Sequence, residues 1–327
     1  MPVDWTPLKS LVRDHQSFVL TSHTRADCDA VGSELGMARV LEQLGKRARI
    51  VNADAPPPHI AFLDTDGKVE VLGHNATAAD AHQAEVHLVL DTSAWGQLGG
   101  MADVFRSSPA KRVVIDHHLS ADDLGAIELK DTAAEATGRL VLAAAEALGA
   151  TLTREIAEPL FYAIATDTGW FRFPSVTAET YAAVAKLVAA GANPSVAFAT
   201  LYERNTAARV KLHGRIMQGL ELSVEGRVAF ALARESDFEE TGALLSETED
   251  VVNRLLSIDG VEVAALIAWM TGEQTKVSLR SRGDFDVREV AEEFGGGGHA
   301  KAAGVRIAGT VDDARQRVLA SLARRMA

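Results

Sequence analysis

Three apolar runs in this chain end in groups that ligate metals. Lys111-Arg112-Val113-Val114 leads into Ile115-Asp116-His117-His118. Phe18-Val19-Leu20-Thr21-Ser22 leads into His23-Thr24-Arg25-Ala26-Asp27-Cys28-Asp29, and Leu88-Val89-Leu90 closes on Asp91. Open parallel sheets bind ligands beyond the carboxyl ends of their strands, so clustered Asp and His at that edge read as a site for hard divalent cations. Oxygen and imidazole donors without thiolates favour Mn2+ or Mg2+ over structural zinc, and the imidazoles tilt the choice toward Mn2+. Two ions about 3.5–4 Å apart acidify a bridging water and clamp a phosphoryl group, which is what hydrolysis of a phosphoester needs. The candidate ligands are His23, Asp27, Asp29, Asp91, His117 and Asp167.

Each has a plainer reading when taken alone. Asp27 and Asp29 stand just before a predicted helix, where Asp is a favoured N-cap. Asp91 suits a turn with Thr92 and Ser93, and His117 and His118 suit a loop. Asp167 continues the stripe Ile156, Leu160, Ala163, Ile164 of a helix predicted over 154–168, unless that helix has already ended and Asp167 caps the next turn. A carboxylate on a buried stripe needs a partner. So many at strand ends together favour a metal site over a set of unrelated caps.

The elements that must position these groups alternate in type. Strands are predicted at 18–20, 48–51, 86–90 and 113–115, and helices at 30–44, ending at Gly45, and at 136–148, closing at Gly149. Apolar strands without alternation, interleaved with helices, imply a parallel sheet covered on both faces. From Thr177 to about Met217 the pattern is helical with a break at Gly191-Ala192-Asn193-Pro194. Strands at 227–232, 263–269 and 276–280, with helices around 251–256, 287–294 and 312–325, make a second, smaller unit. The fold class expected is α/β: a metal domain over 1–185, a helical linker over 186–217 and a substrate-binding domain over 218–327.

Length agrees with about two domains, and 47% hydrophobic with 24% charged residues is ordinary for a globular protein. No signal-like or membrane-spanning stretch is evident, so the cytoplasm is the expected location and no membrane the expected partner. One cysteine, Cys28, excludes an intramolecular disulfide. A net charge of −12 argues against coating long nucleic acid, while residues 275–327 carry ten Lys and Arg against seven Asp and Glu, a small basic patch. A homodimer is compatible with the sequence, but no feature establishes it.

The chain resembles the DHH phosphoesterase superfamily, named for the triplet Asp116-His117-His118. Four of its motifs occur in order: His23-x3-Asp27-x-Asp29, Asp91, the triplet, and Asp167 within Ala165-Thr166-Asp167-Thr168-Gly169. The resemblance implies two divalent ions, Mn2+ before Mg2+ or Co2+. His23 and Asp27 would hold one and Asp29, His117 and Asp167 the other, with Asp91 as the bridge. His118 would face the substrate phosphate, and Asp116 would orient an imidazole. Where relatives show Pro-Asp-Gly-Asp, this chain has Ala26-Asp27-Cys28-Asp29. Cys28 reads as a small filler there, with an oxidation-sensitive thiol as the alternative.

The end of the chain is similar to the domain that accompanies this superfamily, through Phe294-Gly295-Gly296-Gly297-Gly298-His299-Ala300-Lys301-Ala302-Ala303-Gly304 and the preceding Arg280-Ser281-Arg282. Gly296, Gly297 and Gly298 would turn backbone N–H groups to an anion, His299 would add a donor, Arg280 and Arg282 forked donors and Ser281 a hydroxyl. This two-domain plan resembles the nano-RNases, which degrade very short oligonucleotides and remove the 3′-phosphate of adenosine 3′,5′-bisphosphate. Short RNA or DNA oligonucleotides and nucleotides are the expected partners. The rivals are a phosphodiesterase for cyclic di-AMP or linear dinucleotides, a RecJ-like exonuclease, a manganese pyrophosphatase and, from another class, a non-catalytic nucleotide sensor.

Overall fold

The computed structural model describes residues 3–119 and 121–326. It divides into two compact units, 1–201 and 202–327. The first contains α1 (Thr6–Asp14), β1 (Ser17–Thr21), α2 (Cys28–Gln43), β2 (Arg47–Asn52), β3 (Val69–Val71), α3 (Ala78–Ala81), β4 (Val86–Leu90), α4 (Met101–Ser107), β5 (Lys111–Asp116) and β6 (Ile127–Lys130). Then follow α5 (Thr137–Leu148), α6 (Arg154–Asp167), α7 (Ala178–Ala189) and α8 (Pro194–Tyr202). The six strands form a sheet in the order β3-β2-β1-β4-β5-β6, parallel throughout. Alternate residues leave its two faces. Phe18, Leu20, Leu88, Leu90, Val113 and Ile115 enter one apolar cluster with α2, α5 and α6. Val19, Val51, Val89 and Val114 enter the other with α4. Burial on both sides explains why these strands read as unbroken apolar runs.

The strand order reverses between β1 and β4, and such a switch point opens a crevice at the carboxyl edge. Three neighbouring strands, β1, β4 and β5, end there. The helix α2 starts at Cys28, two residues earlier than expected, because Asp27 caps it: its Oδ1 accepts from the N–H groups of Asp29 at 2.9 Å and Ala30 at 3.1 Å. Asp29 therefore lies in the first turn rather than before the helix. Short or polar elements escaped the sequence reading, among them α1, β3, α4 and β6.

The second unit contains α9 (Ala207–Gln218), β7 (Glu221–Ser223), β8 (Val228–Ala233), α10 (Glu235–Thr241), α11 (Val251–Leu256), β9 (Val263–Met270), β10 (Gln274–Ser281), α12 (Val287–Glu293), β11 (Gly297–His299), β12 (Ala302–Ala308) and α13 (Val311–Met326). Its sheet runs β11-β12-β10-β9-β8-β7, mixed because β8 and β9 pair in parallel while the other neighbours are antiparallel. Gly297 and Gly298 of the glycine run, with His299, form edge strand β11. A Cβ on Gly298 would sit 2.5 Å from the Ala302 carbonyl oxygen, so only glycine lets the two strands meet there. Among the described residues no single helix is long and apolar enough to cross a membrane.

Close packing of α2 on α6 sets the distance between two candidate ligands, Asp29 and Asp167. Gly32 makes it possible: a Cβ there would lie 2.4 Å from the Pro159 carbonyl oxygen and 3.1 Å from Ala163 Cβ. Gly32→Ala must push the helices apart, at a cost of about 1–3 kcal/mol typical of overpacking. Thermal unfolding should show a melting temperature lowered by several degrees; an unchanged value contradicts the close-approach role.

Candidate metal centre

The structure brings His23, Asp27, Asp29, Asp91, His117 and Asp167 together at the carboxyl edge of the first sheet. His23 and Asp91 follow β1 and β4, His117 follows β5, and Asp29 and Asp167 come from the facing ends of α2 and α6. The potential ligand atoms of His23, Asp27 and Asp91 lie within 4.8 Å of one another, and so do those of Asp29, His117 and Asp167. Asp91 stands between the trios. Its Oδ2 is 3.5 Å from His23 Nε2 and its Oδ1 is 3.5 Å from His117 Nε2, so each oxygen faces a different imidazole, as a bridging carboxylate requires. His117 Nε2 is also 3.7 Å from Asp29 Oδ2 and 3.6 Å from Asp167 Oδ2.

Backbone carbonyls select the tautomers. His23 Nδ1 lies 3.0 Å from the Thr24 carbonyl oxygen and His117 Nδ1 3.2 Å from that of Ala134. A carbonyl only accepts, so Nδ1 carries the proton in both rings and Nε2 presents its lone pair to the cluster. His118 is held through the same nitrogen, but by a carboxylate. Its Nδ1 donates to Asp116 Oδ1 at 2.8 Å, which leaves Nε2 as the nitrogen able to meet a substrate. Asp116 is fully buried and accepts further bonds from the His118 N–H at 3.0 Å, Lys130 Nζ at 3.0 Å and the Ser93 hydroxyl. Burial alone would raise its carboxyl, but the bonds from His118 and Ser93 outweigh it and hold Asp116 below the ordinary range. Asp116 in turn raises His118, against a smaller opposing effect of burial.

The other carboxyls shift the opposite way. Burial and then the neighbouring Asp29 and Asp27 push Asp91 well above the ordinary range and Asp167 up to about 7. Asp29 is raised by burial and Asp27, while His117 and two N–H groups of α5 oppose. These three carboxylates repel one another, and the groups facing them at 3.5–3.7 Å are imidazole Nε2 atoms, which bring lone pairs and no cation. A divalent cation at either trio would supply the missing positive charge, and hard oxygen with imidazole donors suits Mn2+ or Mg2+. The residues fit such ions. Burial pushes the Cys28 thiol up to about 12, so it offers no thiolate beside them.

Sequence reasoning missed the residues that hold Asp29. Its Oδ2 accepts from the Thr137 N–H at 2.7 Å and its Oδ1 from the Gly138 N–H at 2.8 Å, both at the start of α5; Thr137 Oγ1 donates to Asp91 Oδ1 at 2.9 Å. A signal was present, since Ala136 occupies the N-cap of α5 and has no side chain to cap it. The first N–H groups of a helix must find an acceptor elsewhere.

In the second unit, β-register places Arg280 opposite Ala302 and Ala302 opposite His299. Residues directly opposite point to the same face, so Arg280 and His299 share one face of the sheet across small Ala302, with Gly297 and Gly304 paired one row on. Ser281 is employed inside the unit, and exposed Arg282, just beyond the end of β10, spends one guanidinium N–H there. Buried Ser281 donates its hydroxyl to the Phe285 carbonyl at 2.7 Å, and Arg282 donates to the Leu256 carbonyl at the end of α11. Half-buried Arg280 gives one N–H to its neighbour Leu279, at 3.0 Å, and keeps the rest of its fork.

Comparison with known proteins agrees with this division. Residues 17–164 match the DHH family, N-terminal domain, and residues 228–327 match the DHHA1 domain. The chain is 31% identical over 309 residues to the bifunctional oligoribonuclease and PAP phosphatase NrnA of Thermus thermophilus, spanning 92% of this chain and 87% of that protein. Among solved structures, an exopolyphosphatase-related protein from Bacteroides fragilis has a TM-score of 0.86 at 24% identity, covering 98% of this chain and 97% of that one. Exonuclease RecJ bound to manganese has a TM-score of 0.56 at 15% identity, covering 99% and 96%. These two likenesses show the fold.

The raised carboxyls set a direction for stability. Each holds its proton in the folded chain over a range where the unfolded chain has lost it, from the ordinary value of 3.8 up to about 7 for Asp167. The metal-free protein therefore loses stability as pH rises through that range. Mn2+ binds the ionised form and should raise the melting temperature by an increment that grows from about pH 5.5 to pH 7.5; at a hundred times Kd the stabilisation is about 2.7 kcal/mol. An increment that is absent or flat with pH contradicts the metal assignment.

Proposed function

The chain belongs to the DHH family, and on that premise we propose that it is a metal-dependent phosphohydrolase that degrades very short oligonucleotides and removes the 3′-phosphate of adenosine 3′,5′-bisphosphate. One observation carries the reading: two trios of candidate ligands face each other across Asp91, in a chain alike over nearly its whole length to a bifunctional oligoribonuclease and PAP phosphatase. Two bound divalent ions, Mn2+ foremost, would supply an acidified water and charge relief on the phosphate oxygens.

The protein's own groups have defined tasks. Asp91 orients its two oxygens toward opposite trios. His118 offers Nε2 to a phosphate or leaving-group oxygen, and Asp116 keeps the ring oriented and raises its affinity for a proton. Lys130 and Ser93 keep Asp116 in place. In the second unit the face carrying Arg280 and His299 takes a terminal phosphate: the guanidinium offers forked donors, and Gly297 and Gly304 leave the floor open. Buried Ser281 supports that face from within. An acidic protein with a small basic patch suits short anions better than long strands.

The test is a substrate panel. Protein with Mn2+ is offered labelled RNA from two to twenty-four nucleotides, adenosine 3′,5′-bisphosphate and cyclic di-AMP. The shortest RNAs and the bisphosphate should be consumed fastest, with rates falling steeply as the RNA lengthens. Preferential cleavage of cyclic di-AMP moves the function to second-messenger breakdown, and no turnover on any of them contradicts an enzyme of this class.

A further inference from the structure

A buried polar network lies directly behind the metal cluster, and none of its members is a ligand. Glu34 on α2, Asn52 at the end of β2, and Thr21 and Ser22 at the end of β1 are all buried. Asn52 Nδ2 donates to Glu34 Oε2 at 2.8 Å. Asn52 Oδ1 accepts from the Ser22 N–H at 3.0 Å and from Thr21 Oγ1 at 3.3 Å. Ser22 Oγ then donates to the Leu90 carbonyl at 2.8 Å. The chain of bonds thus ends on the residues immediately before His23 and Asp91.

Its last bond meets a strained point. Asp91 has φ 62, in the left-handed region that costs most residues free energy. The peptide leading into it is gripped from both sides, with its carbonyl taken by Ser22 Oγ and its N–H donating to the Ile115 carbonyl at 3.0 Å. Rotation of that peptide would swing the Asp91 carboxylate away from one imidazole or the other. A buried network this costly to assemble is worth its desolvation only when every member is satisfied. One atom is not: Glu34 Oε1 is buried without a hydrogen-bond partner. Packing alone would be served better by an apolar residue.

We propose that Glu34, Asn52 and Ser22 are positioning residues for the metal centre, a hydrogen-bonded relay that fixes the Leu90–Asp91 peptide and the exit to His23, and so sets the affinity of the His23–Asp27–Asp91 position. This rests on the metal reading above. Burial, opposed by the Asn52 bond, pushes the Glu34 carboxyl up to about 8, so at neutral pH the relay adds no further negative charge behind the carboxylates.

The test measures Mn2+ dissociation constants, by the electron paramagnetic resonance of free Mn2+, together with melting temperatures. Ser22→Ala removes the bond to Leu90, Glu34→Met leaves the Asn52 amide unpaired, and Glu34→Gln keeps an acceptor for it. Ser22→Ala and Glu34→Met should weaken the tighter or the weaker of two Mn2+ sites about 10–100-fold, while Glu34→Gln stays near wild type. A merely structural role would lower melting temperatures and leave Mn2+ affinity unchanged, which overturns the proposal. Should Glu34→Met fail to fold, Ser22→Ala decides alone. A wild-type protein that binds no Mn2+ would overturn the metal reading and this inference with it, an outcome distinct from wild-type affinity in Ser22→Ala.

Discussion

Mutual repulsion among Asp29, Asp91 and Asp167 is the constraint on which the first domain turns. Three carboxylates, with Asp27 beside them, converge where burial and proximity raise their affinity for protons. Left to itself, such a cluster drives the surrounding elements apart or binds protons. The fold holds it together with parts chosen for that purpose: imidazoles whose Nδ1 is committed to carbonyls, the N–H groups of α5 on Asp29, and the Thr137 hydroxyl on Asp91. What remains is a demand for cations.

The architecture then follows from where such groups can stand. Parallel strands end together on one edge, and the reversal of strand order between β1 and β4 opens that edge between His23 and Asp91. Helices α2 and α6 must meet closely to deliver Asp29 and Asp167, which is why glycine occupies position 32 at their crossing. Asp27 shows that structural and chemical roles need not compete. Its Oδ1 caps α2, and its other oxygen remains for the cluster.

Much of this was legible in the residues. Apolar runs capped by Asp and His marked β1, β4 and β5, because strands buried on both faces cannot disguise their composition. Helix α5 announced its end through Gly149, which adopts the left-handed conformation at φ 77. The support around the site was harder to read. Thr137, Gly138 and Lys130 act through contacts distant in sequence, and nothing local distinguishes them apart from the uncapped start of α5. Ser281 looks like a phosphate ligand by type, and only the path of the chain after β10 shows its hydroxyl taken by the Phe285 carbonyl. The glycine run reads as a loop from composition, whereas its role as strand β11 depends on the close approach of β12.

The proposed metal centre stands on Asp91 joining two cation positions built from separate trios. Anomalous diffraction from crystals soaked in Mn2+ tests it most directly. Two peaks about 3.5–4 Å apart are expected, one ligated by His23, Asp27 and Asp91 and the other by Asp29, Asp91, His117 and Asp167. A single peak that does not touch Asp91, or no peak at this edge of the sheet, would contradict it.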